Sequence, residues 1–197
     1  MSISNLAKKT AFLLALTSAS RPSDLHRISI RSMTATKDGY VLQIQKPKEH
    51  NISIAHGGKK SSKKSIAIGF YKEEPAICPA SVFSTLLNRT SEWRLRAEGE
   101  DKPFLSLVPP HNAVSVDTIS RWIKSILTMA NPTAKAKDPR AISANLAQES
   151  GADISSIVTF GNCSSNEVYQ KFYQRGIRRM LEKNNFPVRI LDQARQK

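Results

Sequence analysis

Four separated stretches of the chain carry side chains that could do chemistry. They are residues 20–25, 45–49, 137–140 and 161–165, the last of which is followed by Tyr169 and Tyr173. Arginine offers a forked, permanently charged donor, lysine offers a compact cation, and a tyrosine hydroxyl can act as a nucleophile. Cations of this kind suit an anionic partner such as a phosphate. Each stretch is a weak signal by itself.

The charge of the whole chain indicates what that anion is. Its 197 residues include 30 Lys and Arg against 16 Asp and Glu, a formal net charge of +14. A positive field of this size favours a polyanion, and nucleic acid first. Between residues 46 and 64 there is one acidic residue and six lysines: Lys46, Lys48, Lys59, Lys60, Lys63 and Lys64. The run is interpreted either as a solvated basic loop or as a nucleic-acid contact. An aromatic content of 7% offers little base stacking for RNA.

Composition excludes several other classes of protein. The 40% of hydrophobic residues is enough for the core of one globular domain. No apolar run approaches the ~20 residues of a membrane span, and neither a signal peptide nor a basic amphipathic membrane-surface helix is evident. The two cysteines, Cys78 and Cys163, exclude a disulfide framework and a multi-thiolate zinc site. We therefore expect an intracellular protein without a membrane partner.

Periodicity predicts the elements that must position these residues. Three alternating runs, 40–45, 51–55 and 65–70, predict a small antiparallel sheet with a basic connection at 57–62. Helices are predicted at 3–18, at 22–28, from Pro79 to about Trp93, from Ser115 or Asp117 to Leu127, from Asp138 to Ala147, from Asp153 to Val158, from Ser164 or Ser165 to Gly176, and at 177–183. The fold class is thus mainly α with a small three-stranded antiparallel β-sheet. Strands do not alternate with helices, which disfavours a doubly wound parallel sheet.

In this order and on this frame, the four stretches resemble the catalytic domain of the tyrosine recombinases, or phage-type integrases. They are most similar to the eukaryotic Crypton-like and DIRS-like mobile-element branch. That branch has an Arg-Pro-Ser-Asp-Leu stretch, a Pro-Lys-Glu after the first strand, and an Asn-Trp-Ser-Ser run before a Phe-Tyr pair. The resemblance extends over residues 5–176. It implies a recombinase catalytic domain at 1–176, followed at 177–197 by a basic helix and tail exchanged between protomers.

The resemblance also implies a catalytic site. Arg21 and Arg140 match the two catalytic arginines, and Asp24 matches the acidic residue that supports the first. Lys48 matches the lysine of the β-hairpin, with Lys46 as the alternative. Lys137 stands where the family usually has histidine and sometimes lysine.

The remaining matches lie near the C-terminus. Cys163 stands where the family has histidine or tryptophan. Tyr173 matches the nucleophile, and Tyr169, four residues earlier on the same helix face, is the alternative. The family usually carries a separate helical DNA-binding domain ahead of this one, whereas this chain begins almost at the catalytic domain.

Such a site cleaves and rejoins DNA without a metal or another cofactor. Tyrosine attacks the scissile phosphate to give a 3′-phosphotyrosyl link, the arginines stabilise charge on the phosphate, and a lysine protonates the leaving 5′-oxygen. The resemblance implies site-specific recombination or integration, double-stranded DNA as partner, a homo-tetramer on DNA and a nuclear location. The expected DNA contacts are Lys46, Lys59, Lys60, Lys63 and Lys64. The alternatives are a domesticated, non-catalytic DNA-binding protein on the same fold and a type IB topoisomerase-like activity.

Overall fold

The first helix, α1 (Ile3–Thr17), is the element against which most other helices pack. The structure is a computed structural model that describes residues 1–45, 63–94 and 101–160. The other elements are α2 (Pro22–His26), β1 (Ile28–Thr36), β2 (Gly39–Gln45), β3 (Lys63–Gly69), a 3₁₀ turn (Pro75–Ile77), α3 (Pro79–Arg89), α4 (Ser91–Arg94), α5 (Val116–Ala130), α6 (Asp138–Glu149) and α7 (Ile154–Phe160). Helix α1 contacts α2, α3, α5 and α6. Its apolar residues, among them the fully buried Leu14, belong to one core with Phe83, Ile123 and Ile142.

The three strands form one antiparallel sheet in the order β1-β2-β3. Thr36 pairs with Gly39, so residues 37–38 make a two-residue hairpin. Gly39 has φ +149°, and a Cβ there would meet Ile68 O at 2.0 Å, which restricts the position to glycine. The β2–β3 register runs without interruption from Gly39–Gly69 to Gln45–Lys63. The β2–β3 pairing therefore ends at Gln45 and Lys63, at the end of the sheet opposite to the hairpin.

These observations confirm the predicted fold class, but the first strand was missed. Strand β1 begins at Ile28, and α2 ends at His26, so the prediction that the short helix extends to residue 28 is wrong. The Pro22 start signal is local, whereas β1 exists because it pairs with β2. The predicted strand at 51–55 and the predicted helices at 164–176 and 177–183 lie outside the described residues.

The helix boundaries show two further differences. The predicted helix from Pro79 to Trp93 is divided at Thr90, whose Oγ1 donates to Leu86 O at 2.7 Å. Asp138 is not the cap of α6, because Lys137 occupies that position while the Asp138 carboxylate accepts from Lys135 N at 2.6 Å. The predicted cap at Ser115 is confirmed.

Candidate active site

Arg21 is positioned by a tight turn between α1 and α2. Ser18 donates through Oγ to Leu14 O at 2.6 Å and lies 2.7 Å from Ser20 Oγ. Between the two serines, Ala19 is fully buried and has φ +49°, in the left-handed region that residues with a Cβ rarely adopt. The strained conformation of Ala19 thus directs the main chain from the end of α1 to Arg21.

Arg21 is the N-cap residue of α2, and Pro22 follows in the first turn. The Asp24 carboxylate accepts from the Arg21 backbone N–H at 3.3 Å, and Asp24 is 0% exposed. The acidic residue therefore fixes the main chain of Arg21 from inside the protein.

Arg140 lies in the first turn of α6 and is 4% exposed. Its neighbour Pro139 is buried too, whereas Lys137, at the N-cap, is exposed. The backbone N–H groups of a helix N-terminus carry partial positive charge, and the Arg140 guanidinium adds to it. The start of α6 therefore combines the helix N-terminus and Arg140 with the Asp138 carboxylate of the same turn.

The helices that carry the two arginines pack against the same helix, α1. Arg21 begins α2 and Arg140 lies in the first turn of α6, and both helices pack against α1. Lys63 and Lys64 are the first two residues of β3, paired with Gln45 and Ile44. The other predicted site residues lie outside the described residues: Lys46, Lys48, Lys59, Lys60, Cys163, Tyr169 and Tyr173.

A second group of basic side chains, His26, Arg27 and Lys102, was not predicted. We refer to it as the cationic cluster. His26 and Lys102 line one small depression, and the other residues that line it are apolar. Burial, then Lys102 and then Arg27, lower the pKa of His26 below its usual range. No sequence signal pointed to the cluster, because Lys102 is far from α2 along the chain and is brought there by tertiary structure.

Within the part of the chain that the structure describes, no helix is long and apolar enough to cross a membrane.

Comparison with known proteins gives a likeness in fold and none in sequence. No protein-family model matches the chain, and no curated protein is significantly similar to it. Among solved structures, the XerA recombinase matches 90% of this chain and 62% of its own, with a TM-score of 0.58 at 15% identity. A structure of the Tn1549 transposon integrase in complex with transposon right end DNA matches 88% of this chain and 57% of its own, with a TM-score of 0.50 at 13% identity.

Both neighbours are tyrosine recombinases. The chain spans less than two thirds of the length of each. At these identities the likeness concerns the fold, and it agrees with the observed helices and the three-stranded antiparallel sheet. The chain has the fold of the tyrosine recombinase catalytic domain.

Proposed function

We propose that the chain cleaves and rejoins double-stranded DNA as the catalytic domain of a tyrosine recombinase, with Tyr173 as nucleophile. One observation carries the proposal. On a recombinase fold, Arg21 and Arg140 match the family's two arginine positions, and each is fixed at the beginning of a helix that packs against α1. Such a reaction requires two arginines that reach one phosphate, and a common support on α1 favours that arrangement.

The described residues account for charge stabilisation. Arg21 and Arg140 would donate to the non-bridging oxygens of the scissile phosphate, where negative charge increases in the transition state. Burial of Arg140 strengthens such an interaction, because the effective dielectric constant is lower inside the protein. Lys137, exposed at the start of the same helix, would add a cation that solvent screens more strongly.

The covalent steps are assigned from the sequence. The Tyr173 oxygen attacks phosphorus while its hydroxyl proton passes to water. The bond to the 5′-oxygen breaks, and Lys48 supplies a proton to that oxygen, with Lys46 as the alternative donor. Cys163 occupies the remaining position of the site. Rejoining is the reverse reaction, in which a 5′-hydroxyl displaces the tyrosine. The phosphotyrosyl link retains the energy of the broken bond, so rejoining needs no nucleotide.

The cellular setting belongs to the same proposal. The +14 charge and the lysines at 46–64 would hold the duplex. Recombination between two sites needs several protomers, and we propose a homo-tetramer on DNA in which residues 177–197 are exchanged. The sequence motifs favour a Crypton-like or DIRS-like mobile element acting in the nucleus, by transposition or integration.

The test is a plasmid assay that detects the covalent intermediate. Purified protein is incubated with supercoiled plasmid in EDTA without ATP, and the reaction is stopped with detergent. We expect relaxed DNA and protein-linked DNA from the wild type and neither product from Tyr173→Phe. Tyr169→Phe is the matched control, because it removes the same hydroxyl one helical turn away; it should retain both products.

The other outcomes separate the alternatives. Loss of both products in Tyr169→Phe, with Tyr173→Phe active, would transfer the nucleophile to Tyr169. Relaxation without joining of two DNA sites would favour a topoisomerase-like activity. Salt-sensitive DNA binding without either product would refute the catalytic proposal in favour of a non-catalytic DNA-binding protein.

A further inference from the structure

We infer that the cationic cluster of His26, Arg27 and Lys102 is a second phosphate site, which binds a backbone phosphate of DNA away from the reacting one. The inference rests on the proposed function, because it assumes that DNA is the partner. It assigns a binding role to residues that neither the motifs nor the fold comparison singled out.

The cluster is built from two segments that the fold holds together. His26 and Arg27 are the last residue and the C-cap of α2. Lys102 comes from the segment before Phe104, which is tied to β1 because Ile30 N donates to Asp101 O at 2.8 Å. These contacts put His26 and Lys102 on the rim of the same depression.

A buried arginine fixes the Lys102 segment from the other side. The Arg94 guanidinium donates to Lys102 O, and through Nη2 to Pro103 O at 2.9 Å and to Thr90 Oγ1 at 2.9 Å. Burial lowers the pKa of Arg94 to about 10, so the side chain stays charged at neutral pH. The main chain at Lys102 is thus held on both sides, and its position in the cluster is a property of the fold.

The charges of the cluster are poorly balanced among the described residues. Lys102 Nζ lies 3.8 Å from the Asp101 carboxylate, and both side chains are partly exposed. Arg27 Nη1 is buried, and no residue of the described ranges accepts a hydrogen bond from it. Burying a donor without an acceptor destabilises the folded state, and burying a charged donor destabilises it more. A phosphate beside the partly exposed Lys102 would supply a counter-charge to this cluster.

The place of the cluster identifies the phosphate as part of a nucleic acid. Gln45 N donates to Arg27 O at 2.9 Å, and Gln45 is the last residue of β2. The cluster therefore lies at the end of the sheet where β2 ends and where Lys63 and Lys64 begin β3. The depression has no room for an enclosed small molecule, so we assign the cluster to one phosphate of a strand that passes over its surface.

The test measures how DNA binding by the full chain depends on salt. Fluorescence anisotropy with a labelled 30-base-pair duplex is recorded for the wild type, Lys102→Gln and Arg27→Gln at several NaCl concentrations. Each lost phosphate contact should reduce the slope of log K against log [salt] by about 0.9, equivalent to about eightfold weaker binding at 0.1 M salt. Arg27→Lys keeps the charge and should keep the slope. Lys37→Gln is the matched control, because it removes one exposed lysine at the opposite end of the sheet.

Each result supports or overturns the inference. If Lys102→Gln and Arg27→Gln keep the wild-type slope, the inference is wrong and the proposed function is untouched. If the wild type shows no salt-dependent binding, both are wrong. Lys102 is partly exposed, so its variant decides the matter if Arg27→Gln fails to fold.

A second measurement separates DNA from free phosphate as the ligand. Thermal unfolding is followed in 20 mM sodium phosphate and in sodium chloride of equal ionic strength. A saturable rise of the wild-type melting temperature in phosphate that Lys102→Gln abolishes would overturn the assignment to the DNA backbone. Equal melting temperatures in the two salts support it.

Discussion

Replacing Ala19 with glycine tests whether the turn before Arg21 is strained. Ala19 has φ +49° and is completely buried, two residues before the candidate catalytic arginine. An L-residue in the left-handed region costs about 1–2 kcal/mol, and glycine avoids that cost. Against this gain, the variant loses a buried methyl group, about 0.8 kcal/mol, and its unfolded chain gains roughly 0.5–1 kcal/mol of conformational freedom. The terms nearly cancel, so we expect Ala19→Gly to change the free energy of unfolding by less than about 1 kcal/mol.

Ala15→Gly is the matched control. Ala15 is equally buried but lies within α1, where the backbone is helical. There glycine loses the methyl group and costs about 1 kcal/mol in helix propensity, with nothing regained, so the sum is about 2 kcal/mol. The two variants delete the same atom, and their difference of about 2 kcal/mol isolates the conformational strain at Ala19.

Urea unfolding followed by circular dichroism measures both variants. If Ala19→Gly destabilises the protein as much as Ala15→Gly, then the turn is not strained and the reasoning is refuted. The plasmid assay gives a second readout. A more flexible turn should lower the DNA-cleavage rate of Ala19→Gly while its stability is unchanged, because Arg21 would be held less firmly.

Two further predictions concern the sheet and the pH dependence of stability. Gly39→Ala should lower the free energy of unfolding by about 3 kcal/mol or more, because its Cβ would meet Ile68 O at 2.0 Å at a positive φ. Gly69→Ala should be tolerated, because its Cβ would lie 3.6 Å from the nearest atom. Equal urea midpoints for the two variants would contradict this prediction. The pKa of His26 is lower in the folded chain than in the unfolded one. The stability that this difference contributes is therefore fully present above the usual histidine pKa. It is lost as the pH falls from that value through the lower pKa of the folded chain. The free energy of unfolding of His26→Gln should therefore fall less than that of the wild type between pH 7.5 and pH 5.5, and identical falls would show that His26 does not titrate this way.

The helices that could be predicted are those whose signals are local. In α5, Ile119, Ile123 and Leu127 recur every four residues behind a Ser115 cap, and all three are buried in the core. Strand β1 has no comparable signal, because only its first residues are buried and its partners come from β2. Asp138 was misplaced as a cap because its carboxylate turns back to Lys135 N.

The candidate site also has features that could be predicted from the sequence and features that could not. Arg21 and Arg140 were identified by motif, and the structure adds the helix starts and the common support on α1. Neither the left-handed conformation of Ala19 nor the cationic cluster could be predicted from the sequence. The first depends on the path of a buried turn, since alanine carries no signal for a positive φ. The second depends on a hydrogen bond between Ile30 and Asp101, residues that lie far apart in the chain.

The central place of α1 has a consequence for the order of folding. Helix α1 is synthesised first, yet α6, which carries Arg140, begins more than 100 residues later. At a synthesis rate of about 5–20 residues per second, roughly 6–24 s pass between the synthesis of α1 and that of α6. During that time its apolar face lacks the partner that completes the core, which is a condition that favours chaperone binding and slow, non-local folding. A nascent chain therefore cannot anchor Arg140 beside α1 until the residues of α6 have been made.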